Sequence, residues 1–334
     1  MKQFKLVPTD DWFGYDIKIT LKPCFRCNQK CWYCVEYDNK TSTWSESDCE
    51  TVLDKLSTLP ERYNNIFFYF YGGEPTLSKY WETLQYSIVK MFPERRLFVQ
   101  TQTNMSVKLR RLQKFLETIN QVKSDLHTID ICSSYHLGMQ SVEDFIEKME
   151  LCDHHDALGL CFFSTEIIKE KQCIDEFRKI RKRFPNKLKM RFTLVTQEMI
   201  RDRKEYQHIQ TDHLEFIHGN DGGKLEQSFF TEKYPEVEEH LEQGWNFSVD
   251  DSIVNYSYVM SRNINKQFKH MKCKCGTMGM VIDHNLKVYH CNDDYYKQIN
   301  FIDIEELQID EFLRKDVRCL QLACYDGLDY TKYK

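Results

Sequence analysis

Three cysteines in the first part of the chain have a spacing suited to binding a metal cluster. Cys27, Cys31 and Cys34 form a C-x3-C-x2-C pattern. With 14 cysteines in 334 residues, this pattern is expected by chance only about 0.02 times in such a chain. Three thiolates on one tight loop can hold three irons of a [4Fe–4S] cube. The pattern therefore predicts an iron–sulfur cluster whose fourth iron has no protein ligand and is open to another molecule.

A structural zinc site is the main alternative for the same loop. Zinc in structural sites prefers four ligands, often in paired C-x2-C units. Cys24 and Cys27 form one such unit, and Cys31 and Cys34 form a second. Under this alternative Cys24 is the fourth ligand and no coordination position stays open.

A second motif, Gly72-Gly73-Glu74-Pro75, directly follows an apolar run. Paired glycines let the backbone approach a ligand closely, and a carboxylate beside them can pair with an ammonium group. Alone, this motif is more often a turn than a binding site. Two further polar segments, Thr101–Asn104 and Ser133–His136, also follow apolar runs. The alternative for both is a polar strand end that satisfies its own backbone.

These motifs stand at the ends of predicted strands. Six short runs are rich in β-branched or aromatic residues: Tyr15–Leu21, Ile66–Tyr71, Leu97–Thr101, Thr128–Ser133, Leu158–Ser164 and Met190–Val195. Segments with helical periodicity separate them, and Ser47 and Ser141 are the predicted N-caps of two helices. The alternation predicts an α/β fold with a parallel sheet, and six units suit a partial (β/α)6 barrel. Chemistry in such a fold belongs to the loops after the strands.

A second group of cysteines lies near the other end of the chain: Cys273, Cys275, Cys291, Cys319 and Cys324. A hairpin predicted over Met280–Cys291, with Asn285 at a turn position that tolerates positive φ, brings Cys291 near Cys273. Cys319 and Cys324 follow a predicted helix, Ile304–Arg314, and complete four ligands. Cys275 is the alternative to Cys273, and zinc is the alternative metal. The remaining cysteines are predicted to be ordinary buried thiols: Cys49, Cys132, Cys152, Cys161 and Cys173.

The first cluster and its companion motif resemble the radical SAM superfamily, whose members carry C-x3-C-x-aromatic-C after the first barrel strand. Tyr33 fills the aromatic position, and Gly72–Pro75 matches the family's GGEP motif. The resemblance covers roughly residues 15–195. It implies that the open iron binds the amino and carboxylate groups of S-adenosylmethionine. The cofactor contacts implied are Tyr33, Gly72, Gly73, Glu74, Pro75, Asn104, Ser133 and Ser134.

The second group of cysteines resembles the twitch domain of these enzymes, a short relative of the SPASM domain. Relatives have glycine at the hairpin turn, where this chain has Asn285-Leu286. The resemblance implies one auxiliary cluster, a [4Fe–4S] cube held by Cys273, Cys291, Cys319 and Cys324. We therefore expect a barrel over residues 1–200, a connecting segment over 201–270 and a small α+β cysteine-rich domain over 271–334.

The function implied is reductive cleavage of S-adenosylmethionine, followed by hydrogen abstraction from a peptide or small metabolite by the 5′-deoxyadenosyl radical. A flavodoxin or ferredoxin is the implied reductant, and the residue that completes the reaction is not identified. One alternative is an enzyme of modified-nucleoside or pterin precursor biosynthesis. Another is a non-catalytic zinc–thiolate protein, which would have no use for Gly72–Pro75.

Charge and hydropathy limit the partners. The formal net charge is −5, which argues against a large surface for nucleic acid. No apolar run approaches the ~18–20 residues that span a bilayer, and Met1–Asp10 lacks the apolar core of a signal peptide. These features predict a cytoplasmic protein without a membrane partner.

Overall fold

A computed structural model describes residues 4–6, 15–29, 31, 42–165, 170–192, 246–249, 252–255, 272–273, 278–314, 317–318 and 332–333. Its strands are β1 (Phe4–Leu6), β2 (Ile17–Leu21), β3 (Asn65–Phe70), β4 (Arg96–Thr103), β5 (His127–His136), β6 (Leu158–Thr165), β7 (Leu188–Phe192), β8 (Asn246–Val249), β9 (Ser252–Asn255), β10 (Lys272–Cys273), β11 (Gly279–Ile282), β12 (Lys287–Tyr289), β13 (Ile302–Asp303), β14 (Val317–Arg318) and β15 (Lys332–Tyr333). Its α-helices are α1 (Glu46–Ser57), α2 (Trp81–Met91), α3 (Leu109–Asn120), α4 (Val142–His154), α5 (Glu170–Arg183), α6 (Asn292–Lys297) and α7 (Ile309–Phe312). Two 3₁₀ helices cover Pro75–Leu77 and Ile304–Glu306.

The central feature is a nine-stranded sheet in the order β13-β12-β11-β2-β3-β4-β5-β6-β7. Strands β2 to β7 are parallel to one another and follow chain order. Helices α1 to α5 lie in the connections between them. Within the described residues, β13 and β7 do not pair, so the sheet is open. The predicted α/β fold with a partial six-unit barrel is confirmed.

Alternating side chains of the parallel strands bury one face of the sheet under the helices. Ile19, Phe68, Val99 and Ile131 are all at most 2% exposed in this core. Helix α3 contributes an apolar stripe to it, made of Leu112, Phe115, Leu116 and Ile119. Burial of such a side chain contributes about 1.5–3 kcal/mol, so the core fixes the strand ends that carry the polar motifs. None of the helices in the described ranges has the length and apolarity needed to cross a membrane.

One predicted N-cap is confirmed and one is wrong. Ser141 caps α4 and accepts a hydrogen bond from the Asp144 amide. Helix α1 is capped by Ser45 rather than Ser47, because Asp48 completes a capping box with Ser45. The Ser45 amide donates to Asp48 Oδ2 over 2.7 Å, and the Asp48 amide donates to Ser45 Oγ over 3.2 Å. The reciprocal pair satisfies two donors at the start of the helix. Ser47 also has an acidic residue three positions later, Glu50, but the helix begins at Glu46 and uses the Ser45–Asp48 pair.

The predicted hairpin forms and extends the barrel sheet. Strand β11 pairs in parallel with β2, from Gly279 beside Lys18 to Ile282 beside Leu21. Strand β12 then pairs antiparallel with β11, and β13 with β12. This part of the chain therefore shares hydrogen bonds with the first barrel strand. The proposed domain boundary at residue 271 stays a prediction.

Two local expectations in this region are wrong. The left-handed residue of the hairpin turn is Leu286, with φ of 59°, rather than Asn285. Asp283 explains the choice, because its Oδ1 accepts from the amides of Asn285 and Lys287 on either side of Leu286. The predicted helix Ile304–Arg314 is broken into a 3₁₀ turn and α7, since the Lys55 ammonium binds the carbonyls of Glu305 and Leu307.

Candidate functional site

The loop that carries the first cysteines is closed at its base. Cys24 forms an isolated antiparallel bridge with Thr43. The Phe25 amide donates to the Ser42 carbonyl over 3.0 Å, and the Trp44 amide donates to the Pro23 carbonyl over 2.9 Å. The chain therefore leaves the carboxyl end of β2, makes the cysteine loop, and returns to the same place before α1 begins. The closed base therefore fixes the position from which the segment with Cys27 and Cys31 begins.

The glycine motif lies directly against this loop. The Gly73 amide donates to the Cys24 carbonyl over 3.0 Å, and the Glu74 amide donates to the Arg26 carbonyl over 2.7 Å. A Cβ on Gly73 would lie 2.5 Å from the carbonyl oxygens of Arg26 and Phe25. Gly72 has φ of 130°, and a Cβ there would lie 2.9 Å from the Cys24 carbonyl. Both glycines are therefore required for the close approach of two loops.

The Glu74 carboxylate accepts hydrogen bonds from four groups of the same chain. Oε1 accepts from the Thr76 amide and hydroxyl and from the Thr103 hydroxyl, over 3.1, 2.5 and 2.7 Å. Oε2 accepts from the Asn104 amide over 2.7 Å. Burial raises the pKa of this carboxyl, and the four donors act in the opposite direction. Glu74 thus ties the end of β3 to the end of β4, while Pro75 begins the 3₁₀ turn after it.

Asn104 follows β4 and reaches the cysteine loop. Its Nδ2 lies 3.6 Å from Cys27 Sγ and 3.2 Å from Asn28 Oδ1. The Ser106 hydroxyl also donates to Asn28 Oδ1, over 3.0 Å. The structure therefore brings three of the predicted segments together: the cysteine loop, Gly72–Pro75 and Asn104.

Ser133 and Ser134 lie within β5, which continues to His136. Because successive side chains of a strand point to opposite faces, the two hydroxyls lie on different sides of the sheet. Ser134 Oγ accepts from Gln102 Nε2 over 2.6 Å. Ser133 is fully buried and lies on the same side as Ile131 and Tyr135, which pack in the core under the helices. Only Ser134 shares a side of the sheet with Gln102.

Cys24 differs from the cysteines that follow it. Its side chain is fully buried, and its Sγ donates to the Arg26 carbonyl over 3.4 Å. Burial raises the pKa of this thiol to about 11. Cys27 is exposed and Cys31 is buried. Burial and a hydrogen bond to the loop's own backbone are typical of a structural cysteine.

Several predicted site residues lie outside the described residues: Tyr33, Cys34, Cys275, Cys319 and Cys324. Cys273 is described only as part of β10. In the part of the chain that is described, no group of three candidate ligands comes together. The five cysteines predicted as buried thiols are confirmed as buried: Cys49, Cys132, Cys152, Cys161 and Cys173.

The hairpin packs against the same loop from the other side. The Phe25 ring stacks on His284 with centroids 4.4 Å apart, and the Trp44 indole donates to the Asp283 carbonyl over 3.0 Å. Cys291 immediately precedes α6. Tyr295 of α6 lies over the ammonium group of Lys22, 3.5 Å from ring centroid to Nζ. Predicted ligands of both clusters therefore stand on segments that flank Phe25 and Lys22.

The residues present fit a thiolate-held cluster with a small-molecule ligand. Cys27 is exposed at the carboxyl end of the sheet, where this fold class places chemistry. An amide donor faces its sulfur, as is common around iron–sulfur clusters. The absence of a Cβ at Gly72 and Gly73 lets the backbone of this motif lie directly against the cysteine loop.

Sequence reasoning missed two buried lysines near the site. Lys148 of α4 is 4% exposed and donates to the Met105 carbonyl over 2.8 Å. The sequence does indicate this burial, because helical spacing places Lys148 in the same apolar stripe as Phe145 and Met149. Lys22 is fully buried beneath tyrosines. Lys22 directly follows the apolar strand Ile17–Leu21, and no residue near it in sequence indicates that tyrosines cover its ammonium group.

Residues 21–156 match the family model described as the radical SAM superfamily. By sequence, no curated protein matches the chain. The solved structure of native anSMEcpe with bound AdoMet is 14% identical, with 90% of this chain and 80% of that chain covered and a TM-score of 0.55. Native anSMEcpe with bound AdoMet and Cp18Cys peptide is 13% identical, with the same coverage and a TM-score of 0.53. At such identities the structural likeness establishes the fold alone.

Proposed function

We propose that this chain, a radical SAM enzyme by the match of residues 21–156, abstracts hydrogen from a peptide or small-metabolite substrate. One observation carries the proposal. The backbone of Gly73 and Glu74 is hydrogen-bonded to the loop that begins at Cys24, at the carboxyl ends of β2 and β3. The two motifs are 38 positions apart in sequence, from Cys34 to Gly72. Their contact supports a single site for cluster and cofactor.

The superfamily implies a [4Fe–4S] cluster and S-adenosylmethionine, which when bound supply a 5′-deoxyadenosyl radical by reductive cleavage. In the proposal, Cys27, Cys31 and Cys34 hold the cluster. Gly72, Gly73 and Glu74 place their backbone beside the cysteine loop, and the Glu74 carboxylate fixes that backbone by binding Thr76, Thr103 and Asn104. The predicted cofactor contacts of Tyr33, Pro75, Asn104, Ser133 and Ser134 stay part of the proposal.

We also propose one auxiliary cluster, held by Cys273, Cys291, Cys319 and Cys324. Its support is the pairing of β10 with β14, which sets Cys273 opposite Val317. Val317 precedes Cys319 by two positions. The same pairing supports Cys273 as a ligand, because its backbone lies opposite Val317.

The substrate class is proposed from chemistry and likeness together. In a solved structure of the same fold, anSMEcpe is bound to AdoMet and the Cp18Cys peptide, which supports a peptide as the leading candidate here. A small metabolite, including a nucleoside or pterin precursor, is the alternative. A flavodoxin or ferredoxin is proposed as the electron donor, and a cytoplasmic location stays a prediction.

Anaerobic reconstitution tests the proposal. We expect about eight irons and eight sulfides per chain for two cubes, and formation of 5′-deoxyadenosine after addition of reductant and S-adenosylmethionine. Cys27→Ala and Cys31→Ala should each abolish nucleoside formation. Cys49→Ala is the matched control, because Cys49 is a buried thiol of α1 outside the site, and it should retain cleavage.

Zinc is the outcome that would overturn the proposal. One or two zinc ions per chain, no iron after reconstitution and no 5′-deoxyadenosine would favour a zinc–thiolate protein. Retained cleavage in Cys27→Ala would also contradict the assignment of that residue as a cluster ligand.

A further inference from the structure

We propose that the turn Thr103–Ser106 holds the side-chain amide of Asn104 against the Cys27 sulfur and thereby sets the reduction potential of the cluster. Lys148, far from the cysteines in sequence, is inferred to be a positioning residue for this turn. The inference rests on the proposed function, since it requires a cluster on Cys27. It gives Asn104 a contact with the cluster in addition to its proposed contact with the cofactor.

The contact itself is specific. Asn104 Nδ2 lies 3.6 Å from Cys27 Sγ and 3.2 Å from Asn28 Oδ1. A carboxamide has two N–H groups, so one can serve the sulfur while the other binds Asn28. Asn28 is in turn held by the Ser106 hydroxyl over 3.0 Å. The sulfur and its neighbouring residue are thus both bound by one turn.

The turn has a backbone conformation that is costly for its residue. Met105 has φ of 59° and is fully buried. A non-glycine residue in the left-handed region costs about 1–2 kcal/mol. Such conformations persist where the surroundings determine them, and they concentrate at functional sites.

Three hydrogen bonds hold Asn104 in this turn. The Asn104 amide donates to Glu74 Oε2, and the Asn104 carbonyl accepts from Gln140 Nε2 over 2.8 Å. The Ser106 amide donates to Asn104 Oδ1 over 2.9 Å. This last bond fixes which end of the carboxamide is the oxygen, so Nδ2 is the atom that faces Cys27.

Lys148 supplies the remaining support. Its Nζ donates to the Met105 carbonyl over 2.8 Å and to Asp144 Oδ2 over 2.6 Å. Burial of an ammonium group is costly unless it is paired, and the side chain of Lys148 is only 6% exposed. One of its two partners is the strained residue itself. Loss of Lys148 would therefore release Met105 and, with it, the direction of the Asn104 amide.

A donor at a cluster sulfur stabilises the reduced state, because that state carries more negative charge on the sulfur atoms. Hydrogen bonds to sulfur are among the factors that set cluster potentials, and residues beyond the ligands tune metal sites in the same way. Removal of the Asn104 donor should therefore make the cluster harder to reduce.

The test is an EPR-monitored redox titration of the reconstituted full chain, without substrate. Asn104→Leu should shift the midpoint potential of the N-terminal cluster to a more negative value and alter its EPR signal. Asn104→Asp keeps the acceptor for Ser106 but replaces the donor, and should shift the potential in the same direction. Asn120→Leu is the matched control, since Asn120 lies on α3 and pairs with His155, and it should leave the potential unchanged.

Lys148→Met separates positioning from stability. It should shift the potential in the same direction by less than Asn104→Leu, whereas Lys179→Met, at a lysine paired with Glu143 on the surface, should not. A lower melting temperature with an unchanged potential in Lys148→Met would make Lys148 merely structural and overturn that part. An unchanged potential in iron-loaded Asn104→Leu and Asn104→Asp would overturn the inference while the proposed function stands. A wild-type chain that takes up no iron would overturn both.

Discussion

The loop of Cys27 and Cys31 is held by hydrogen bonds between backbone atoms, whereas the hairpin and helix around Cys291 add a buried cluster of aromatic rings to their strand pairing. In the first region, the amides of Gly73 and Glu74 and the backbone bridge between Cys24 and Thr43 hold the loop in place. In the second, Phe25, Val281, Tyr289 and Tyr295 form a small buried cluster of their own.

This difference has a physical consequence for what each region tolerates. Close backbone contacts fail when a single Cβ is added, because a Cβ on Gly73 would lie 2.5 Å from two backbone carbonyl oxygens. Packed rings respond instead to lost volume and lost hydroxyl partners. The cluster proposed on Cys27 and Cys31 requires fixed geometry, and close backbone contacts are suited to provide it. The second region provides an attachment to the barrel edge through Phe25, which belongs to both.

The largest expected effect separates the two proposed clusters by activity. Cys27→Ala should reduce 5′-deoxyadenosine formation to background, because the open-iron cluster loses a ligand. Cys291→Ala should retain more cofactor cleavage than product formation, if the second cluster serves the substrate. Nucleoside and product are measured by chromatography of the same anaerobic reactions. Equal loss of cofactor cleavage in both variants would contradict the separate roles, because it would show that cleavage depends on both groups of cysteines.

Thiol labelling sharpens the contrast within the first region. In iron-free protein at pH 8, iodoacetamide should modify exposed Cys27 much faster than Cys24, whose pKa is raised to about 11 by burial. A rise of about two pKa units lowers the thiolate fraction about 100-fold, and the fraction recovers as the pH rises toward 11. Peptide mass spectrometry gives the rates. Cys161, fully buried with a pKa raised to about 12, is the protected reference. Equal rates at Cys24 and Cys27 would show that the loop base opens.

The smallest expected effect concerns the hairpin. Asp283→Ala should lower the free energy of unfolding by about 1–3 kcal/mol, because two turn amides lose their acceptor. Asp283→Asn keeps an acceptor oxygen and should cost less. Tyr289→Phe removes only the hydroxyl bond to Asp283 Oδ2 at 3.2 Å and should cost about 1 kcal/mol. Denaturant titrations measure all three. If the Asp283→Ala chain were as stable as the wild type, the amides of Asn285 and Lys287 would be hydrogen-bonded to water in the variant.

The strands and the loops after them were predictable because their signals are local. Each β–α unit repeats a buried run and an amphipathic helix, and the cysteine and glycine motifs stand where those runs end. Competition between neighbours was harder to predict. Ser45 and Ser47 are each followed three residues later by an acidic residue, Asp48 or Glu50. The sequence therefore allows two capping boxes, and the structure uses the one at Ser45.

Contacts between distant segments left little trace in the sequence. Nothing near Leu21 indicates that β11 pairs with β2. Leu286 takes the left-handed turn position because Asp283 binds both flanking amides, and residue type alone favours Asn285 instead. Lys148 carries a signal only as a misfit in its helix, and its partner Met105 lies on a separate strand end.

The pairing of β11 with β2 also means that β2 must wait for its partner strand while the chain is being synthesised. Leu21 and Gly279 are 258 positions apart, and ribosomes add roughly 5–20 residues per second, so the partner strand emerges on the order of 10–50 s later. During that interval the nascent β2 has no neighbour on one side, and its open amides and carbonyls can recruit other chains. Chaperones that shield this edge should therefore raise the yield of native protein more than any change made to the barrel helices.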